Sequence, residues 1–271
     1  MPDLFQCIDD MDADKQAMVV KRLEDRAQMA RFAAIRENYF DKIGFPLEGR
    51  IHELGCGTGA ICRAIASRPG FVGTVVGSDL SASLIEAAKA ITAKSGLKNI
   101  EYYQADGQGS EAHRGQYDLV LAHTVVSHVA NPAAFLREAM RLAKPGGQIV
   151  LHDGDFASMT FNTNTPELDV KMLELILKAV VANRYIMREI PRLLRQLDAK
   201  ITHAIADVVL EIGVGEYFPG FAKNYGLIAV NAGFAIQSDF DKWIEAIDNA
   251  ISENRFYGSC NFVTYGVIKT S

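Results

Sequence analysis

The sequence predicts an α/β fold, a parallel sheet with helices on both faces. Two observations carry that expectation. Short apolar segments alternate with helical ones from residue 50 to residue 153, and a glycine-rich turn, "GCGTGA" at 55–60, follows the first apolar segment. Strand–helix alternation builds a parallel sheet, because each crossover must pass over one of its faces.

Residues 13–43 read as one long helix, with Val19, Leu23, Ala27, Ala30, Ala34 and Ile35 at helical spacing, and "GFPLEGR" breaks it. "RIHEL" (50–54) is a strand, and a helix at 59–68 leaves the glycines. "TVVGSD" (74–79) is the second strand. "SASLIEAAKAITAKSG" (81–96) is a helix opened by serine and closed by glycine. "IEYYQAD" (100–106) and "YDLVLAH" (117–123) are the third and fourth strands. "NPAAFLREAMRLAKPGG" (131–147) is a helix with asparagine and proline at its start and a proline–glycine stop, and "QIVLHD" (148–153) is the fifth strand.

After Asp155 the alternation ends. "TPELDVKMLELILKAVVANRY" (165–185) and "MREIPRLLRQLDA" (187–199) are helical, "KITHAIADVVLEIG" (200–213) is a strand, and segments 221–233 and 238–254 are helices. "FYGSCNFVTYGVIKT" (256–270) closes the chain as a seventh strand. The expected divisions are a helical lid at 1–45, a ligand-binding core at 46–155, a helical cap at 156–200 and a completion of the sheet at 201–271, one catalytic domain overall.

Composition narrows the function. A net charge of −5 over 271 residues argues against a nucleic-acid binder, which needs a basic face. Cys7, Cys56, Cys62 and Cys260 form no CxxC pair, so neither a disulfide framework nor a zinc site is expected, and a reducing compartment fits. No apolar run approaches the roughly 20 residues of a membrane span, and the acidic start of the chain lacks a signal pattern. The expectation is a cytoplasmic protein.

Gly55, Gly57 and Ala60 fit the dinucleotide fingerprint, and Asp79 stands where a ribose-binding acid would. Glu53 separates the readings. A carboxylate at the tip of the strand would repel a pyrophosphate on the neighbouring helix terminus. It favours a ligand bearing positive charge, such as S-adenosylmethionine with its sulfonium and amino group. Asp106, after the third strand, can accept from an adenine amino group. These residues share the carboxyl-end rim where open α/β sheets bind ligands.

"HELGCGTG", "VVGSDLS", "YQADG" and "YDLVLAHTVVSHVANPAAFLREAMRLAKPGGQIVLHDGDF" together resemble the class I, S-adenosylmethionine-dependent methyltransferases, in particular the small-molecule "type 11" group related to ubiquinone and menaquinone methyltransferases. The closing "FDKWIEAIDNAISENRFYGSCNFVTYGVIKT" resembles a natural-product subgroup. The resemblance implies a Rossmann-like, seven-stranded, mostly parallel sheet with an antiparallel last strand. It implies that Glu53, Gly55, Gly57, Gly59 and His123 line the methionine end of the cofactor, Asp79 the ribose, and Asp106 and Gly107 the adenine, with Cys56 and Leu80 also in the cofactor site. The resemblance also implies Arg36, on the amino-terminal helix, as a partner for the methionine carboxylate. His52 departs from the family, which has an apolar residue there.

His128, His152 and Asp153 lie near the rim and are candidates for holding or moving the acceptor's proton; Asp155 could hold substrate or cap a helix. His113 and His203 read as surface or strand residues. No third ligand accompanies His152 and Asp153, so no metal is expected. Phe156, Phe161, Tyr185, Tyr217, Phe218, Phe221 and Tyr225 read as an apolar lid with some core members. The amino-terminal helix fits either a lid or a homodimer contact. The expected activity is methyl transfer to an oxygen, nitrogen or carbon nucleophile of an apolar small molecule. Non-methylating, cyclase-like use of the same ligand, an RNA or protein acceptor, and nicotinamide-dependent hydride transfer stand as rivals.

Overall fold

The computed structural model describes residues 4–107, 116–197 and 199–269; His113 lies outside them. Seven strands form one sheet: β1 (Arg50–Leu54), β2 (Thr74–Asp79), β3 (Ile100–Gln104), β4 (Tyr117–His123), β5 (Ala143–Asn162), β6 (Ala199–Gly213) and β7 (Phe256–Lys269). Their order is β3-β2-β1-β4-β5-β7-β6. The first five run parallel, and β7 is antiparallel to both β5 and β6. The fold class read from the sequence is borne out, antiparallel last strand included.

The helices are α1 (Ala13–Gln28), α2 (Ala30–Ile43), α3 (Ala60–Ala66), α4 (Ala82–Ser95), α5 (Pro132–Leu142), α6 (Pro166–Val180), α7 (Ile186–Arg195), α8 (Tyr217–Asn231) and α9 (Gln237–Ser252). Local chemistry places several ends where the sequence predicts them. Ser81 accepts from Leu84 N at the start of α4, Gly96 takes the left-handed conformation at its end, and Asn131 accepts from Ala134 N before Pro132.

Three expectations need correction. The helix read at 13–43 is broken at Met29, whose ψ of 127° is extended. Periodicity survives the break, because α1 and α2 obey one pattern separately. Packing decides it: α2 sinks Phe32, Ile35, Tyr39, Phe40 and Ile43 into the core, whereas α1 buries no residue completely. "KPGG" is not a turn preceding the fifth strand but an irregularity inside it, between the pairs Tyr117↔Ala143 and Leu119↔Gln148. β5 also runs past Asp155 to Asn162, pairing again with β7 from Thr160, so the helical cap begins only at α6.

Two hydrophobic clusters flank the sheet. One joins α2, α3, α6, α8 and α9 around Trp243, Phe218 and Phe161; the other joins α5 and α7 around Phe135, Leu136 and Ile190. Both faces of the sheet are covered, which leaves the carboxyl ends of β1, β2 and β4 as the open rim.

Candidate active site

At that rim a cavity of about 350 Å3 is lined by Glu53, Gly55, Cys56, Gly57, Asp79, Leu80, Asp106, Gly107, His123 and Arg36 among others. Ten of the eleven residues expected to hold a cofactor therefore meet in one place. The exception is Gly59, which lies behind the wall: a Cβ there would stand 2.3 Å from the Tyr102 hydroxyl, so its smallness serves packing.

The glycine turn is held from both sides. Gly55 N and Cys56 N donate to Ser78 O (2.8 and 2.9 Å). Gly57 N donates to Asp79 Oδ2 (2.8 Å), while Ser81 N donates to Asp79 Oδ1 (3.0 Å). Gly55 has φ +70°, and an added Cβ would lie 2.3 Å from Val125 Cγ2, so both backbone shape and space require glycine.

Electrostatics fit a cationic ligand. Glu53 is 1% exposed, and its carboxylate accepts from the Cys62 thiol at 2.8 Å. Burial pushes Glu53 up to about 8, with the thiol bond opposing. Burial likewise raises Asp79, against the backbone donors of Ser81, Gly57 and Leu80. A wall of reluctant carboxylates is relieved by a cation and further burdened by a diphosphate. Burial pushes the Cys56 thiol up to about 11, which removes it as a nucleophile.

The histidines divide sharply. His123 lines the cavity and shares a hydrogen bond with Tyr39 Oη (2.9 Å); burial and the neighbouring His152 hold it well below the usual histidine range. His152 and Asp153 do not line it. His152 is buried against Thr264 Oγ1 (2.7 Å), and burial pushes it down to about 3. Asp153 accepts from Ser127 N (3.0 Å) and Gly154 N (2.8 Å). Both are buried, His152 among the rings of Tyr39, His123 and Phe262, while Asp153 braces the turn that carries His128. Asp155 takes Nε and Nη2 of Arg188 (2.9 Å each to the nearer oxygen), tying α7 to β5. His52 is a core histidine bonded to Ser78 Oγ (2.9 Å), and His203 sits on edge strand β6 beside Thr202 (3.1 Å).

His128 lines the large cavity and also a smaller one, of about 180 Å3; Leu23 and Arg26 are likewise common to both. The smaller cavity lies under α1 and α8, against Phe156, Tyr217, Phe221 and Tyr225. Of the aromatics read as a lid, these four line it. Phe161 and Phe218 are core, ring against ring at 5.6 Å, and Tyr185 is exposed.

The amino-terminal segment closes over the rim through contacts that sequence reasoning missed. Asp9 accepts from Ser81 Oγ, Ala82 N, Ser83 N and Ser83 Oγ at 2.6–3.1 Å. Burial pulls its carboxyl up, but those bonds outweigh it and hold it at about 2. Glu24 receives Arg63 Nη2 (2.6 and 2.7 Å) and the Thr58 hydroxyl (2.5 Å). Arg26 Nη2 donates to Thr124 Oγ1 (2.6 Å), and Gln6 Nε2 to His128 O (2.5 Å). Thr124, β-branched, is held at φ +55°, a strained conformation of the kind that clusters at working sites. A short polar stretch ahead of a helix is the one signal that could have pointed to Asp9; nothing local marks Thr124. Among the described residues no group of three or more His, Cys, Asp or Glu could hold a metal ion, and no helix is long and apolar enough to cross a membrane.

Comparison with known proteins agrees with this geometry. A family model described as a methyltransferase domain matches residues 48–205. The chain is 30% identical over 159 residues to a ubiquinone biosynthesis O-methyltransferase of Saccharophagus degradans, covering 58% of this chain and 59% of that one. It is 26% identical to the protein of the same name from Pseudomonas fluorescens, over 75% and 84% of the two chains. Against several of the curated relatives it spans only about half to three-fifths of their length. Among solved structures, a SAM dependent methyltransferase from Aquifex aeolicus superposes with a TM-score of 0.53 at 18% identity, over 72% of this chain and 92% of that one; this is a likeness of fold. The chain belongs to the methyltransferase-domain family, in its class I, S-adenosylmethionine-dependent branch.

Proposed function

We propose that the protein transfers a methyl group from S-adenosylmethionine to a small apolar acceptor, with the cofactor in the large cavity and the acceptor in the small one. The observation that carries this reading is the pair of adjoining cavities, one walled by carboxylates and glycine backbone, the other by aromatic rings, with His128, Leu23 and Arg26 common to both. The cofactor's fit rests on Glu53, a buried acid with no cation beside its carboxylate among the described contacts, which a bound cation would satisfy. Glu53, Gly55, Gly57 and His123 would hold the methionine end, with Arg36 toward its carboxylate. Asp79 and Leu80 would hold the ribose, and Asp106 with Gly107 the adenine.

When bound, S-adenosylmethionine supplies a methyl on a positively charged sulfur that becomes a neutral thioether. The residues' main task is then to align two reactants and exclude water. α1 and α8 form the roof that does so. The names of the curated relatives favour oxygen as the accepting atom. His128, between the cavities, takes the proton that such an oxygen loses as the new carbon–oxygen bond forms. His123 and His152 are unsuited to that role, since burial keeps both neutral and weakly basic. The acceptor is small because the second cavity holds only about 180 Å3.

Calorimetry and label transfer test this together. The protein should bind S-adenosylmethionine and S-adenosylhomocysteine, and NAD not at all. Asp79→Ala should weaken cofactor binding by about 1–3 kcal/mol. With methyl-labelled cofactor and a panel of small phenols and catechols, label should pass to at least one compound. His128→Asn should lower that rate by about 10²–10⁴-fold without altering cofactor affinity. NAD bound in preference, or cofactor bound with no label moved to any acceptor class, would overturn the proposal.

A further inference from the structure

The smaller cavity holds a group that methyl transfer does not require. Arg22, on α1, stacks its guanidinium on the Tyr225 ring, 3.4 Å from the centroid, and makes no hydrogen bond or ion pair among the described residues. Arg26, one helical turn on, lines the same cavity and gives one hydrogen bond, to Thr124. The carboxylates on that lining do not answer them. Asp25 is paired with Lys21 (2.5 Å) and Glu216 is exposed at the rim. Two cations therefore face an aromatic pocket with no internal counter-ion.

A guanidinium held flat on a ring keeps its edge N–H groups available in a fixed plane, which is the arrangement that reads a carboxylate or phosphoryl group by two parallel bonds. Leaving such a donor set dry and unpaired is costly, so the arrangement is stable chiefly when a ligand completes it. Burial pulls Arg22 down to about 9, with Arg26 adding to the effect and Tyr217 opposing it.

We propose that the acceptor is a planar apolar molecule bearing an anionic group, and that Arg22, supported by Arg26, binds that group while the ring lies among Phe156, Tyr217 and Phe221. This deepens the reading of the two cavities as cofactor and acceptor sites and rests on it. Arg22 acts here as a specificity residue, remote from the carboxylates of the cofactor wall.

The test uses 2-naphthoate, 2-naphthyl phosphate and the neutral 2-naphthamide, titrated by calorimetry into protein saturated with S-adenosylhomocysteine and into protein without it. Both anions should bind at least tenfold more tightly than the amide. Arg22→Met should erase the difference and Arg22→Lys retain part of it. S-adenosylhomocysteine affinity and thermal melting, unchanged in both variants, establish that the fold is intact. Which anion binds more tightly names the group. Equal binding of the three compounds, binding of none, or a preference that survives in Arg22→Met would overturn the proposal. Failure of S-adenosylhomocysteine to bind would instead strike the underlying reading, and the titration without it would still report on Arg22.

Discussion

The proposed cofactor side and the proposed acceptor side of the sheet are built from different materials. Around β1, β2 and β4 the site consists of backbone amides, glycines with positive φ and buried acids, and each position tolerates few residue types. Around β5, β7 and α8 it consists of aromatic rings and the two arginines of α1, supported by long antiparallel pairing from Ala199↔Lys269 to Gly213↔Phe256. On that proposal the first region would recognise a ligand by what the backbone must do, and the second by volume and by where charge is left unanswered. A backbone demand leaves a mark in the sequence, whereas a shape assembled from Phe and Tyr looks like any core.

The sharpest way to break this comparison is to loosen the acceptor side alone. Trp243 on α9 is completely buried, and its Nε1 donates to Asp169 Oδ1 on α6 (2.8 Å), an acid that also accepts from Thr163 N and Oγ1 (2.9 and 2.7 Å). Trp243→Ala removes a large side chain and leaves Asp169 short of a donor. A loss of about 3–5 kcal/mol is expected, measured by denaturant unfolding. If the two regions are separate in their energetics, cofactor affinity in the surviving folded protein changes less than about twofold. A parallel collapse of that affinity would join the two regions.

Next in size is Glu53→Gln, which acts on the cofactor side. Replacing the acid should weaken S-adenosylmethionine binding by about 1.5–3 kcal/mol and S-adenosylhomocysteine, with its neutral sulfur, by less. The pH dependence has a definite sign. Glu53 in the folded protein stands at about 8, above its ordinary 4.5, so the fold binds that proton more tightly than the unfolded chain does, and this contribution to stability is lost as pH rises between those values. A bound cation favours the ionised form. Binding below pH 8 should therefore release a proton, and affinity should rise with pH by up to about tenfold per unit, levelling near 8. In Glu53→Gln the slope should flatten; titration of the ligand's own amino group is common to both proteins and cancels. An equal slope in the variant would remove Glu53 from the account.

How much was legible follows the same division. The order of strands and helices, the caps at Ser81, Gly96 and Asn131, and the rim residues from Glu53 to His123 were all readable, because turn chemistry and alternation are local. Features that depend on distant packing were not. The break at Met29 depends on what α2 packs against, and methionine itself gives no signal to stop. His128 and His152 look equivalent along the chain, and only the partner strand decides that one is covered by Thr264 while the other faces both cavities. Arg22 and Arg26 lie four apart on a helix rich in charge, where a solvated face is the ordinary reading; the ring of Tyr225, about two hundred residues on, changes it.

The smallest effect concerns the strap that joins the regions. Glu24 on α1 receives Arg63 by two bonds and Thr58 by one, so a single carboxylate ties the lid to the turn after β1. The pair is mostly shielded from solvent, with side-chain exposures of 11% for Arg63 and 23% for Glu24, which makes it worth more than a surface ion pair. Glu24→Gln keeps the shape and removes the charge, and a loss of about 1 kcal/mol in lid closure is expected. Because Asp9, Gln6 and Arg26 hold the same segment at other strand ends, the lid should loosen without detaching. Opening controls exit, so the cofactor dissociation rate should rise about fivefold while association stays nearly constant, read by stopped-flow displacement with S-adenosylhomocysteine. Salt should reproduce part of the effect in the unmodified protein and little of it in the variant, since the charge that salt screens is gone. An unchanged dissociation rate would mean that the amino-terminal helices merely rest on the site and take no part in holding the cofactor.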